Sequence, residues 1–309
     1  MIISAGEALY DLFAQGDGDD GLTFDARVGG SPLNVAMGLA RLGREAGFLT
    51  GLSTDLFGER LWAHLEKEGI DTELVVRMDR PTTLSVVGVD LAGVPSYAFY
   101  GAGAADRSLA PTDLPSWPDR ARVLHIGSYS MVVDPVGSTL LGLARSIAGR
   151  CLVSYDPNVR PTIEPDMAIW RSRLEELLPS LSLLKISSED FGLLYGDADK
   201  AAMAARWLEA GPALVVVTDG EDGAEAWTTD FNARAPGIEV DVVDTVGAGD
   251  TFQAALLAWL DENGLSGPDG PGSLAEDQLS DLLGFAVGAA AVTCSRRGAD
   301  LPRREDVRN

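Results

Sequence analysis

Residues 243–260 read VDTVGAGDTFQAALLAWL. Two carboxylates, Asp244 and Asp250, flank the small-residue run Val246-Gly247-Ala248-Gly249, and an apolar stretch of helical character follows directly. Gly247 and Gly249 open backbone angles closed to other residues and let a second molecule approach the main chain. A helix beginning here aims its unpaired N–H groups and positive dipole end at whatever lies in front, which suits an anion. Asp250 falls in the first turn of that helix, where the dipole favours a negative side chain. It would nevertheless repel an anion. The pairing makes sense when the carboxylate faces a group about to attack the anion, as in phosphoryl transfer to a hydroxyl. Taken alone, the motif is better read as an ordinary helix start with an acidic first turn.

The rest of the chain narrows the choice. Its 309 residues, 46% hydrophobic and 23% charged, suit a globular protein with one large α/β domain or two ordinary ones. No apolar run reaches transmembrane length, and the opening MIISAGEALYDLF lacks the basic region of a secretory leader, so a cytoplasmic protein is expected. Cys151 and Cys294 are too few and too far apart for a disulfide framework or a cysteine metal site. Asp and Glu number 47 against 24 Lys and Arg; the net charge of −23 argues against nucleic-acid or anionic-membrane partners. Only His64 and His125 are available, too little for a histidine zinc site or a Ser-His-Asp hydrolase. General-base work therefore falls to a carboxylate, and His125 reads as a polar residue at a strand end.

Short β-branched or leucine-rich runs (ARVLHIG, RCLVSYD, LSLLKIS, ALVVVTDG) alternate with amphipathic helical stretches. This predicts an α/β fold with a mostly parallel central sheet flanked by helices. The runs end at Ser128, Asp156, Ser187 and Asp219-Gly220, and in open α/β sheets the carboxyl ends of the strands carry the site. Residues 8–26 and 72–100 break the pattern with turn-rich, alternating sequence that predicts a small β-lid, including a β-hairpin. Residues 263–275, NGLSGPDGPGSLA, read as a mobile surface loop. One domain spanning 1–309 is expected.

RVGGSPLNVAMGLARLG repeats the opening theme: Ser31 can cap a helix that starts at Pro32 and is closed by Gly43. Gly29 and Gly30 would let a ligand lie against main chain, and Asn34 offers both donor and acceptor to sugar hydroxyls; taken alone, a well-capped structural helix is the better reading. SYDPNVRP sets Asp156, Asn158 and Arg160 at alternate positions, pointing one way if extended, and the Arg160 fork suits phosphate oxygens. KISSED brings Ser187, Glu189 and Asp190 to the next strand end, where a carboxylate could hold the hydrated magnesium of a nucleotide or simply favour a helix start. GxxxxGK[ST] is absent, and so is a GxGxxG after the first strand, which excludes the commonest phosphate-loop and dinucleotide readings.

DTVGAGDTF and GGSPLNVAMGLARLG resemble the C-terminal and N-terminal signatures of the ribokinase-like, phosphofructokinase-B-type carbohydrate kinases, in the right order over nearly the whole chain. The resemblance implies one α/β domain with a protruding β-lid over the sugar. It implies Asp250 as the base and Gly247-Ala248-Gly249 as the anion hole for the transferred phosphoryl group. Asp11, Gly29, Gly30 and Asn34 match sugar-binding positions, and Tyr97 and Phe99 in YAFYGAGAADRSL resemble lid features of the fructokinase branch. Asp156, Asn158 and Arg160 match a strand-end motif beside the phosphates. Ser187, Asp190, Thr218, Gly220 and Gly223 fall on the nucleotide side, and GFAVGAAAVTCSRRGAD resembles the helix and loop that make room for adenine. Asp244 and the Val246 carbonyl correspond to a monovalent-cation position, expected to take K+, and Mg2+ is expected with the ATP phosphates and water. Two departures stand out. An Asn-x-x-Glu pattern is replaced by Ser187-Ser188-Glu189-Asp190, and an arginine common after the lid tyrosine is replaced by Gly101.

The sequence thus predicts an ATP-dependent sugar kinase acting on a hydroxymethyl group, with fructose as the first substrate. Ribose, 2-keto-3-deoxygluconate and a nucleoside are the alternatives. An acidic sugar would want a cationic partner, and residues 83–103 contain no Lys or Arg, which favours a neutral sugar. A non-catalytic sugar- or nucleotide-binding regulator would be expected to have lost Asp250. Apolar lid strands suit a homodimer in which lids pair, and suit equally a lid that closes on its own ligand.

Overall fold

The structure, a computed structural model, describes residues 1–18, 21–89 and 95–307, with the side chains of residues 16–18, 89 and 95–97 outside that description. In chain order the elements are β1 (Ile2–Ala5), β2 (Leu9–Gly18), β3 (Gly21–Gly29), α1 (Ser31–Arg41), β4 (Ala46–Ser53), α2 (Leu56–Lys67) and β5 (Val75–Met78). Next come β6 (Leu84–Val89), β7 (Pro95–Tyr100), β8 (Val123–Gly127), α3 (Val136–Ile147), β9 (Leu152–Asp156), α4 (Met167–Leu177), β10 (Leu183–Ser187) and α5 (Ser188–Tyr195). The chain ends with α6 (Lys200–Ala210), β11 (Leu214–Thr218), β12 (Ala224–Trp227), β13 (Asn232–Ala235), α7 (Ala248–Glu262) and α8 (Glu276–Cys294).

Among the described residues, nine strands form the main sheet in the order β13-β12-β11-β10-β9-β8-β1-β4-β5. It is parallel except at β12 and β13. Both faces are covered, and the period of two decides which residue goes where. Ile2, Val123, Leu152, Leu214 and Val216 pack with α1, α7 and α8. Their neighbours Ile3, Leu124, Val153, Val215 and Val217 pack with α3, α4, α5 and α6 on the other side. Continuous apolar runs are therefore what this sheet requires. Helices α1 and α7 approach closely because Gly38 has no side chain; a Cβ there would stand 2.7 Å from Ala254 Cβ.

A second sheet, ordered β3-β2-β6-β7, forms the lid. Its bounds differ from those expected. Residues 75–78 belong to the main sheet as β5, paired with β4, so the second lid segment begins only at Leu84, and the first runs on to Gly29. Val89 pairs with Pro95 across the hairpin, and the turn expected between them, 90–94, lies outside the described residues. The 263–275 connection is not simply a surface loop, because Pro271 and Leu274 are buried and anchor it.

Candidate active site

Gly30, at φ +112, leads into α1 without a cap, and Ser31 is the helix's first residue, not its cap. Its hydroxyl is free to go elsewhere: Ser31 Oγ donates to Asp250 Oδ1 at 2.6 Å. One turn on, Asn34 Nδ2 donates to Asp250 Oδ2 at 2.8 Å, while Asn34 Oδ1 is buried with no partner. Asn158 Nδ2 reaches Asp250 Oδ1 at 3.4 Å. The two glycine-led helices thus meet at one carboxylate, 7% exposed. Burial first, and then the charge of Asp156, push the Asp250 carboxyl above the usual carboxylate range, against the pull of Ser31, Asn34 and Arg160. Gly247 sits at φ +81 immediately before Ala248, the first residue of α7, so the Gly247-Ala248-Gly249 amides lie beside Asp250 at a helix N-terminus with no side-chain cap, the Ala248 amide donating to the Thr245 carbonyl at 3.2 Å.

On the lid side, Gly29 makes room for Asp11: a Cβ at Gly29 would stand 2.3 Å from Asp11 Oδ2. Asp11 lies opposite Ser85, and Ser85 opposite Phe99, so the three share one lid face. Tyr97 shares that strand and parity; its side chain lies outside the described residues. Burial raises the Asp11 carboxyl, while Ser85 and Arg160 draw it back down. Asp11, Gly29 and Asn34 line a cavity of about 530 Å3 that Asp244, Val246, Arg27 and Arg297 also line. The absence of Lys and Arg from 83–103 is thus no measure of the pocket's charge. The fold brings cations to it from β3 and from the loop after α8.

At the ends of β9 and β10 the expected one-way row does not form. Asn158 takes φ +40, and Asp156 turns inward to Lys185 Nζ at 2.7 Å. In LSLLKIS, Lys185 reads as one polar residue of a strand, with no motif of its own. It is 3% exposed, and its Nζ stands 3.4 Å from where a Gly249 Cβ would be. The ammonium therefore lies against the first turn of α7. Below it His125, midway along β8 and not at its end, is pushed down to about 3 by burial and then by Lys185. Arg160 donates to the carbonyls of Asn158 and Val159 and makes no ion pair among the described residues.

Asp190, in the first turn of α5, accepts the Val159 amide at 3.1 Å. Burial and then Asp156 push it up to about 6. Ser187 caps the same helix through the Asp190 amide, and Glu189 is exposed. Further out, Thr218 ends β11 and its carbonyl takes the Ser188 hydroxyl, with Gly220 at φ +53 beyond it. Gly223 is buried under a crossing segment: a Cβ there would stand 2.1 Å from the Ala235 carbonyl. Asp244 ties the loop before α7 to the chain after α8, accepting the amides of Val246 and Gly298. No cluster of three or more His, Cys, Asp or Glu suited to a metal occurs among the described residues, nor is any helix long and apolar enough to cross a membrane.

Comparison with known proteins agrees with this architecture. A fructokinase of Rhizobium leguminosarum bv. trifolii is 36% identical over 98% of this chain and 91% of its own. The crystal structure of a Xylella fastidiosa fructokinase with bound ATP superimposes with a TM-score of 0.88 at 28% identity, covering 99% and 96% of the two chains. A double mutant of the Vibrio cholerae fructokinase, solved with fructose, ADP and potassium ion, matches at 27% identity and a TM-score of 0.79 over 96% and 93%. The pfkB family carbohydrate kinase signature covers residues 1–306, and with it the whole of the site around Asp250: the chain belongs to the pfkB family of carbohydrate kinases.

Proposed function

We propose that the protein is an ATP-dependent fructokinase that phosphorylates a hydroxymethyl group of the sugar. The observation that carries this is the convergence of Ser31, Asn34 and the first turn of α7 on Asp250. Oδ1 already takes two donors, while Oδ2 takes only Asn34 and keeps a lone pair. Oδ2 is therefore the atom that receives the proton of the sugar hydroxyl. As that oxygen bonds to the γ-phosphorus, the bond from phosphorus to the bridging oxygen breaks and ADP leaves. The amides of Gly247, Ala248 and Gly249, with Lys185 behind them, face the charge that builds on the transferred group. Asp11 and the unpartnered Asn34 Oδ1 accept sugar hydroxyls.

Magnesium would accompany the nucleotide and offset phosphate charge; Asp190, through water, is the carboxylate that would orient it. Asp244, which already accepts the Val246 and Gly298 amides, and the Val246 carbonyl would hold a potassium ion that steadies the loop before α7. Fructose as the acceptor rests on the fructokinase relatives and on the neutral-sugar groups Asp11 and Asn34. A coupled assay with ATP and fructose, ribose or 2-keto-3-deoxygluconate tests it. The highest kcat/KM is expected for fructose, and an equal value for either rival would defeat the assignment.

The other face of the lid is apolar across all four strands. Tyr100 lies opposite Leu84, Leu84 opposite Tyr10, and Tyr10 opposite Val28. Near α2 this face is covered, Tyr10 meeting Phe57 at 5.3 Å between ring centroids. Leu22, Phe24 and Tyr100 are exposed. A second copy of the chain, lid against lid, is the proposed cover.

A further inference from the structure

Arg107 follows lid strand β7 in a short 3-10 turn, Ala105–Arg107, and its guanidinium folds back onto that strand. A Cβ at Gly101 would stand 2.5 Å from Arg107 Nε and 2.7 Å from Nη2, so the guanidinium fills the room the glycine leaves. Its carbon lies 4.7 Å from the centroid of the Tyr129 ring. Tyr129 meets Phe99 edge-on at 6.4 Å, and Phe99 shares the lid face of Ser85 and Asp11. Arg107 thus ends a packed row that runs from Asp11 through Ser85 and Phe99 to Tyr129.

Two of its nitrogens, Nε and Nη2, are buried with no hydrogen-bond partner. Buried donors left unpaired are costly, and an arginine beside an aspartate would ordinarily use it. Asp106 does not serve: its two oxygens accept Thr83 Oγ1 at 2.6 Å and the Tyr129 hydroxyl at 2.8 Å, and neither meets the Arg107 fork. The other buried acid nearby, Glu7, accepts Ser130 Oγ. A fork of two parallel N–H groups matches two adjacent oxygens.

We propose that Arg107 is a sugar-specificity residue. Its Nε–Nη2 edge donates to a pair of neighbouring hydroxyl oxygens on the acceptor sugar, on the lid side of the ring and away from the hydroxyl that Asp250 deprotonates. This rests on the sugar-kinase reading of the site above. Position 101 controls the arrangement, because only a residue without a side chain lets the guanidinium take that place.

Arg107→Met keeps a stem over Tyr129 and removes the fork. The fructose KM is expected to rise at least tenfold while kcat stays within threefold and the ATP KM is unchanged. Adding Gly101→Arg to Arg107→Met returns a guanidinium from the opposite side and should recover most of the lost affinity. Arg107→Lys, which retains charge but not the fork, should show the same KM loss and serves if the methionine variant does not fold. An unchanged fructose KM in a folded variant, with only the melting temperature lowered, would show that Arg107 merely packs on Tyr129 and would overturn the proposal. If the wild-type protein phosphorylates no sugar, the functional reading fails by itself; fructose binding by calorimetry to wild type and Arg107→Met then decides the inference, with equal affinities overturning it.

Discussion

Asp250 can act with one oxygen because the other is held. Asp250→Asn keeps the size and the helix start but removes the base, and kcat should fall by roughly 10²–10⁴. Nucleotide affinity, measured by titration calorimetry, should hold or improve, since a negative charge near the phosphates is gone. Were Asp250 only a helix-start charge, its loss would cost about 0.3–1 kcal/mol of stability and leave turnover intact. Because its folded-state carboxyl is raised, Asp250 contributes stability at low pH that is lost as pH rises through that raised value. The asparagine variant should therefore melt no lower than wild type at neutral pH. The same shift sets the acid limb of kcat above the ordinary aspartate range. Asn34→Ala removes a bond that pulls Asp250 down, so a pH–rate profile should show that limb moved further up, with a raised sugar KM.

The elements that hold the site were legible to different degrees. Helix α7 and its glycine entry follow from VGAGD, and the strand ends at Asp156 and Ser187 from the apolar runs before them. What local sequence could not show is which partner a side chain finds across the fold. Ser31 reads as a cap and is spent on Asp250, 219 positions away. Lys185 reads as a strand residue and becomes the buried partner of Asp156 only because β9 and β10 are neighbours. The boundary of the lid failed at Val75–Met78, where a short alternating strand carries the same pattern whichever sheet it joins. The buried pair between β9 and β10 makes its own prediction. Lys185→Met strands the Asp156 charge and should cost roughly 3–5 kcal/mol in denaturant unfolding. Lys185→Met with Asp156→Leu should regain much of that stability yet stay far below wild-type kcat, because the ammonium behind Gly249 is still missing; recovery of both would make the pair purely structural.

At the scale of the molecule, the two surfaces of one lid meet different surroundings. One carries Asp11, which lines the cavity, together with Phe99 and the buried Ser85, and the other carries Tyr100, Leu84, Phe24 and Leu22. Phe24→Glu places a charge on the exposed apolar side, and light scattering should show a shift from dimer to monomer with activity per chain largely kept. A wild-type mass of one chain at micromolar concentration would remove the lid-to-lid pairing. The net charge of −23 makes such pairing of an apolar face informative, since like-charged bodies meet only where charge is locally sparse.

Gly30 is the single residue between lid strand β3 and the helix that carries Ser31 and Asn34. A Cβ there would stand 2.6 Å from the Glu7 carbonyl, and Gly6 is similarly closed in by Pro32, so the hairpin is tethered at both ends by joints with no slack. A kinase that holds ATP beside a base must also keep water from taking the sugar's role. With so short a tether, drawing the lid down on a sugar also draws on the side chains that align Asp250. The expected consequence is thrift: Gly30→Ala, which crowds the Glu7 carbonyl, should raise ATP hydrolysis without sugar relative to sugar-dependent turnover, measured as phosphate release with and without fructose.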